Sequence, residues 1–345
     1  RFGDGFPYYS YGPRIHEFLQ EMHAAVFEGR VGDFVTVGEM PGVTVAQAQR
    51  FTDPSRRELD MVFQFEHVGL DQGAGGKFDS RPLDVRELKA SFQRWQDGLA
   101  TVGWNSLYWN NHDQPRAVSR FGNDSDYWSE SARALAAVLH LQRGTPYIFQ
   151  GEELGMTNVP FGGIGEIRDI ESLNHFAEAL KTPGATPESV LAGIRRAGRD
   201  NARTPMQWTS DAGGGFTTGT PWIGVHPNHE RINAASQVGV DGSIFEFYRA
   251  LIRLRHEHPV VSLGDFRMIA PQHPTAFAFE RRLGPAVLLV LANFDVQLLE
   301  LNGIIDVDPS GRELLLGNYP AVEASAPLRP WEVRILLSGD RMLMA

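Results

Sequence analysis

The chain has 345 residues, a formal charge of −10 and no cysteine, a balance opposite in sign to the basic footprint that phosphate tracking requires, so a nucleic-acid partner is not expected. The absence of cysteine rules out disulfides and thiolate metal sites. The longest apolar run, residues 286–292, is far short of the roughly 20 residues of a membrane helix, so no membrane partner is expected.

This length fits two domains, although a barrel of alternating strands and helices alone takes about 250 residues. Ile15, Leu19, Met22 and Val26 sit at helical spacing, and residues 33–39 are a strand candidate. A second strand over 61–66 is followed by a glycine-rich loop over 72–76, a helix over 85–99 and a strand over 106–109. The next helix begins near Ser129 and ends with Arg143 and Gly144, a cation in the last turn and a closing glycine. Residues 145–150 then make a fourth strand. Strand and helix alternating in this order imply parallel strands with right-handed crossovers.

After Glu153 the pattern loosens into an excursion at about 160–218 that contains Gly198-Arg199-Asp200-Asn201-Ala202-Arg203. A long segment of this kind in a compact protein points to function. A last helix opens with Ser243 and Glu246 as a capping box, carries Ile244, Phe247, Leu251 and Leu254 on one face, and stops at Pro259. Beyond it the period changes to two, with short strands over 276–280, 286–291, 313–316 and 332–337. The resulting division is 1–262 as strand–helix units and 263–345 as a small antiparallel β-sandwich domain.

Two stretches carry the chemistry. Val37-Gly38-Glu39-Met40-Pro41-Gly42 and Tyr108-Trp109-Asn110-Asn111-His112-Asp113-Gln114-Pro115-Arg116 each put an acidic residue at the end of a strand, just before turn residues. A (β/α) barrel exposes its catalytic side chains there. Cleaving a glycosidic bond needs a protonated carboxylic acid for the leaving oxygen and an ionised carboxylate on the other face of the sugar. Glu39 is the candidate acid, because apolar Val35, Val37 and Met40 beside it would favour its neutral form. Asp113 would stabilise developing positive charge, with His112 gripping sugar hydroxyls. Each has a plainer reading: a strand-end cap for Glu39, a turn cap for Asp113, a structural role for His112. A metal site at His112 and Asp113 lacks a third ligand at metal-type spacing. Arg199 and Arg203, four apart, would share a face in a helical turn, to hold sugar hydroxyls or a catalytic carboxylate, or to form a surface ion pair with Asp200 or Glu171. Among Tyr108, Trp109, Phe121, Tyr147 and Phe149, most are read as core.

Gly38 to Thr44, Met61 to His67, Gly103 to Gly122, Gly144 to Asn158 and Gly198 to Trp208 together resemble oligo-1,6-glucosidases and related α-glucosidases of the α-amylase superfamily, glycoside hydrolase family 13. The likeness runs from Asp4 to Leu337. It implies Glu39 as general acid/base and Asp113 as transition-state stabiliser. It further implies His112 and Arg199 as binders of the non-reducing-end glucose, and Glu171 as a contact on the leaving-group side. Arg203 is read as structural. The substrate expected is an α-linked gluco-oligosaccharide such as isomaltose, with α-1,6 or α-1,4 preference left open.

The family's nucleophile lies in a Gly-Phe-Arg-x-Asp segment on the fourth barrel strand, and that segment and the family's earlier Asp-x-x-x-Asn-His motif do not occur in this sequence. By the resemblance, residue 1 falls in the loop after the fourth strand. The expectation is therefore an α/β chain made of strands 5 to 8 of a (β/α)8 TIM barrel plus the β domain. The N-terminal half, with the nucleophilic Asp, would come from a separate chain or from residues before Arg1. No cofactor is expected within 1–345, and a structural calcium or magnesium ion, where family members have one, would sit in that N-terminal half. The resemblance and the lack of cysteine suggest a cytoplasmic enzyme. Two other readings compete. Sucrose isomerases carry Arg-Leu-Asp-Arg-Asp where this chain has Gly69-Leu70-Asp71-Gln72-Gly73, and a non-catalytic amylase-like interaction protein has no need of Glu39, His112 and Asp113 in full motif context.

Overall fold

The computed structural model describes residues 5–320 and 323–339. They divide into two compact units, one of residues up to Glu66 together with Arg94–Ser106, the other of His67–Gln93 together with the residues from Leu107 onward.

In the first unit α1 (Phe6–Tyr9) and α2 (Ile15–Val26) precede β1 (Val37–Glu39), α3 (Val45–Thr52) and β2 (Met61–Phe63). β1 and β2 are parallel with Glu39 opposite Phe63, and Asn105 extends the order by a parallel bridge to Val62. Parallel neighbours need a crossover, and α3 provides it. A capping box starts that helix: the Thr44 hydroxyl accepts the Gln47 N–H, and the Gln47 side chain accepts the Thr44 N–H. Ala48 and Phe51 then close a core with Val43, Val62, Trp95 and Leu99, against which Ile15 and Leu19 of α2 pack. The strand expected over 33–39 is cut to three residues, since only those find a ladder partner on β2.

The second unit opens with an antiparallel hairpin, β3 (Gln72–Gly73) and β4 (Gly76–Ser80), where the sequence suggested a loop. Gly76, at φ 87°, makes the reversal, and the Asp79 carboxylate accepts the Gly75 N–H at 2.8 Å. α4 (Val85–Gly98) is shared by the two units and leads to β5 (Ser106–Leu107), α5 (Ala117–Phe121), α6 (Trp128–His140) and β6 (Thr145–Pro146). α6 ends at His140, short of the expected Arg143 and Gly144; Gly144, at φ 144°, serves the turn into β6 instead. The excursion is not a loop. It folds into α7 (Ile170–Ala179) and α8 (Pro187–Ala197), flanked by short 3₁₀ turns.

α9 (Ile244–Glu257) starts at Ser243 as expected, its hydroxyl accepting the Glu246 N–H, but the capping box is half formed because Glu246 accepts the Gly239 N–H. α10 (Pro259–Leu263) takes Pro259 in its first turn. Five strands follow, β7 (Asp265–Ile269), β8 (Ala276–Leu283), β9 (Ala286–Asn293), β10 (Glu313–Gly317) and β11 (Val333–Ser338). They form one antiparallel sheet in the order β10-β11-β9-β8-β7. The expected β-sandwich is corrected to this single sheet among the described residues. One face (Phe277, Phe279, Leu288, Val290, Ile335) packs into the core shared with α6 and α9, and the other (Ala278, Leu289, Leu291, Leu336) is covered by Leu299, Leu301 and Leu328 instead of a second sheet. β7 was not foreseen.

Two buried cations fasten this sheet to the helices. Lys89 of α4 donates to the carbonyls of Ala270, His273 and Ala276 at 2.6–2.8 Å. Arg281 of β8 donates to those of Leu141, Val261 and Gly264. Carbonyl dipoles left over at helix ends and turns thus meet full charges, which is why these two long side chains tolerate burial.

Glu152, after β6, is buried with Tyr248 of α9 donating to its Oε1 at 2.8 Å. Burial pushes its carboxyl up to about 8, Glu153 adding to the shift while the Tyr248 bond and Arg116 oppose it. The folded protein therefore holds a proton that the unfolded chain releases near pH 4.5, and stability falls as pH rises through that window. Glu152→Gln removes the charge and keeps the shape. We expect the variant to match wild type at pH 5 and to exceed it by roughly 2–4 kcal/mol at pH 8, measured by urea unfolding of the full-length protein at both pH values.

Candidate active site

Asn111, His112 and Asp113 follow β5 on the loop into α5, and the Asn111 side chain accepts the Asp113 N–H at 2.8 Å. The turn is thus capped by Asn111, which frees the Asp113 carboxylate. Arg203 Nη2 donates to Asp113 Oδ1 at 2.7 Å while Arg203 Nε donates to the His112 carbonyl at 2.9 Å. Arg199 Nη1 lies 3.4 Å from the same Oδ1. The other oxygen, Oδ2, has the exposed His112 ring 3.7 Å away.

From Arg199 the charges continue. Its Nε donates to Glu171 Oε2 at 3.0 Å and lies 4.0 Å from Asp169, and Lys77 Nζ on β4 reaches the same Glu171 oxygen at 2.7 Å. Lys77, Glu171, Arg199, Asp113 and Arg203 therefore form a row of alternating sign. Partial burial works against the Arg199 charge, but Glu171, Asp113 and Asp169 outweigh it and hold the guanidinium above its ordinary range. Burial likewise opposes the Asp169 charge, and the Ser172 hydroxyl, the Ser172 and Glu171 N–H groups and Arg199 keep its carboxyl below the usual range.

Local structure explains this convergence. Asp169 caps α7 by accepting the N–H groups of Glu171 and Ser172, which puts Glu171 in the first helical turn. Buried Asp200 accepts the N–H groups of Arg168 and Asp169 at 2.6 and 3.0 Å, pinning that cap to the 3₁₀ turn Arg199–Ala202. Arg116, fully buried, donates to the carbonyls of Gln150 and Asn201 and so binds the same turn to the segment that bears Asp113.

Glu39 stands at the end of β1, in the first unit, and its side chain is exposed. Of the apolar screen expected from Val35, Val37 and Met40, Val35 is corrected: it is 69% exposed, on a segment that pairs with no strand. Val37 and Met40, joined by Leu19, Met22, Phe27 and Leu59, do line an open hollow of about 490 Å³ with Glu39 on its wall. At Gly38 a Cβ would lie 2.7 Å from the tip of the Leu59 side chain, which would have to shift to admit it. The structure thus brings His112, Asp113, Glu171 and Arg199 together in the second unit, with Glu39 in the other. Tyr108, Trp109 and Phe121 are core, as read. Among the described residues no cluster of three or more metal-ligating side chains occurs, and no helix is long and apolar enough to cross a membrane.

The alpha-amylase catalytic-domain model matches residues 1–264. The chain belongs to the alpha-amylase family. It is 50% identical over 340 residues to an oligo-1,6-glucosidase of Halalkalibacterium halodurans, covering 97% of this chain and 60% of that protein. The crystal structure of Bacillus licheniformis trehalose-6-phosphate hydrolase is similar with a TM-score of 0.90 at 40% identity, covering 97% of this chain and 61% of that one. A trehalulose synthase structure follows with a TM-score of 0.87 at 39% identity, over 95% of this chain and 59% of that one. The chain thus spans about 60% of the length of the curated relative it matches.

Sequence reasoning passed over Lys77 and Asp169 and assigned Arg203 a structural place. Asp169 carried a readable signal, an N-cap residue before the apolar Ile170. Lys77 carried none, because its partner lies 94 positions away. Its reach depends on β4 lying against α8, where Gly193 is the permissive residue: a Cβ there would meet the Phe78 carbonyl oxygen at 2.5 Å. Gly193→Val should lower stability by about 1–3 kcal/mol and separate Lys77 from Glu171, read as a lowered Tm and lost protection of β4 amides in hydrogen exchange.

Proposed function

We propose that residues 1–345 are the C-terminal part of a retaining α-glucosidase that hydrolyses terminal α-1,6 or α-1,4 bonds of short gluco-oligosaccharides such as isomaltose. The observation that carries this reading is the meeting of Asp113, Arg199 and Glu171 in a half-buried row of opposed charges, with the exposed His112 ring beside Asp113, in a chain of the alpha-amylase family. In this reading the chain supplies strands 5 to 8 of a (β/α)8 barrel, and the N-terminal half supplies the rest together with the nucleophilic aspartate. Glu39 protonates the leaving oxygen and then deprotonates the incoming water. Asp113, ionised beside two guanidinium groups, stabilises positive charge at the anomeric carbon. His112 and Arg199 hold hydroxyls of the glucose being transferred, and Glu171 accepts a hydroxyl of the leaving sugar. We expect Glu39→Gln in the full-length protein to lower turnover of isomaltose by about 10²–10⁴, the usual worth of general acid catalysis, and to lower turnover of 4-nitrophenyl α-glucoside far less. Retained turnover above a tenth of wild type removes Glu39 from the acid role.

Charge argues for a neutral leaving sugar. Lys77, Arg199 and Arg203 are matched by Glu171, Asp113 and Asp169, so this cluster holds no surplus cation for a phosphate. Isomerisation of sucrose is disfavoured by the segment after β2: Gly69 and Gln72 offer no cation, and Asp71 is engaged by Arg120 at 2.6 and 2.9 Å. The full-length protein should therefore hydrolyse isomaltose at least tenfold faster than trehalose 6-phosphate, and any sucrose consumed should yield mainly glucose and fructose. Chromatography with isomaltulose or trehalulose as the main product overturns the hydrolase assignment.

A further inference from the structure

The two oxygens of Asp113 are treated unequally. Oδ1 receives Arg203 Nη2 at 2.7 Å and has Arg199 Nη1 at 3.4 Å, whereas Oδ2 has the His112 ring at 3.7 Å, beyond hydrogen-bond reach. The two arginines also differ. Arg199 makes its short contact to Glu171, at 3.0 Å, with Asp113 farther off. Arg203 spends its fork on a single loop: Nη2 on the Asp113 carboxylate and Nε on the carbonyl of the residue before it, His112.

We propose that Arg203 is the positioning residue of this site: it fixes the Asp113 rotamer and the His112–Asp113 backbone together, so that Oδ2 stays free for charge that develops on the substrate. The inference rests on the assignment of Asp113 as transition-state stabiliser. Gripping the loop at two points, the Asp113 carboxylate and the His112 carbonyl, opposes both the side-chain rotation and the loop shift that would aim the charge elsewhere. A lysine cannot substitute, because an ammonium lacks the planar fork that spans both acceptors. Arg203 acts through Asp113 and its loss is felt where Asp113 acts, in the transition state more than in binding.

The test is a double-mutant cycle in the full-length protein with isomaltose. Arg203→Gln should lower kcat by about 10²-fold, the cost of a misplaced catalytic group, while KM changes by less than about threefold. Arg203→Lys should recover only part of the loss. Adding Arg203→Gln to Asp113→Asn should cost little beyond Asp113→Asn alone, because the two act as a unit. Losses that multiply in the double variant, or a raised KM with kcat unchanged, overturn the inference while leaving the α-glucosidase reading intact. Wild-type protein that does not cleave α-glucosides overturns that reading, and this inference with it. Should Arg203→Gln fail to fold, Arg203→Lys carries the cycle; failure of both to fold shows a purely structural arginine and overturns the proposal.

Discussion

The arrangement of the second unit depends on one buried guanidinium. Arg116 is 1% exposed and donates to the carbonyls of Gln150 and Asn201, while its backbone N–H donates to the Asn158 side chain. The segments around Gln150 and Asn201, remote in sequence from each other and from Arg116, are thereby held at one point. Burial lowers its pKa to about 10, so it keeps its proton at neutral pH. A buried charge without its acceptors is costly, so each of the two segments is confined to positions in which its carbonyl still reaches Arg116. Asp113 lies three residues upstream and Arg199 begins the turn that Asn201 belongs to; the alternating row of charges follows from this clamp.

That row is an economical solution to a common difficulty. Several charged groups stand close together here, and like charges at such distances repel. Here each carboxylate has a cation on at least one side, and the free lone pairs point away from the pairing. The partly exposed setting keeps individual pairs weak in stability terms. Their value lies in fixed direction, since a group whose partners define its rotamer keeps the same oxygen exposed.

The C-terminal sheet shows the same principle in a setting without chemistry. Lys89 and Arg281 each collect three carbonyls that no helix or strand can satisfy, and they join the sheet to α4, α6 and α10. The eight residues of β9 are all buried, because both faces of the sheet are covered. An exposed face would have given strict alternation, and the continuous apolar run 286–292 is the trace of double coverage.

Much of this was legible from the residues alone. The helical spacing of Ile15, Leu19, Met22 and Val26, the Ser243 cap and the Pro259 stop are local signals, and α2, α9 and α10 follow them. The place of Glu39 at a strand end and of Asp113 on the following loop of another was also readable, since strand propensity and turn chemistry act over a few residues. Tertiary structure decided the remainder. Strand lengths depended on whether a partner existed to complete the ladder, so 33–39 shrank to β1 and 145–150 to β6. The β domain became one sheet among the described residues because two segments joined by a single bridge, Leu299 to Leu328, covered its outer face. The pairs of Lys77 with Glu171 and of Arg199 and Arg203 with Asp113 were decided by segments up to 94 positions apart, whereas a pair of Arg199 with Glu171 was among the readings of the sequence. A sequence determines which side chains can carry charge and which segments can be helix or strand; which charges meet is set by the packing of distant segments, because an ion pair is defined by distance in space and leaves no periodicity in the chain.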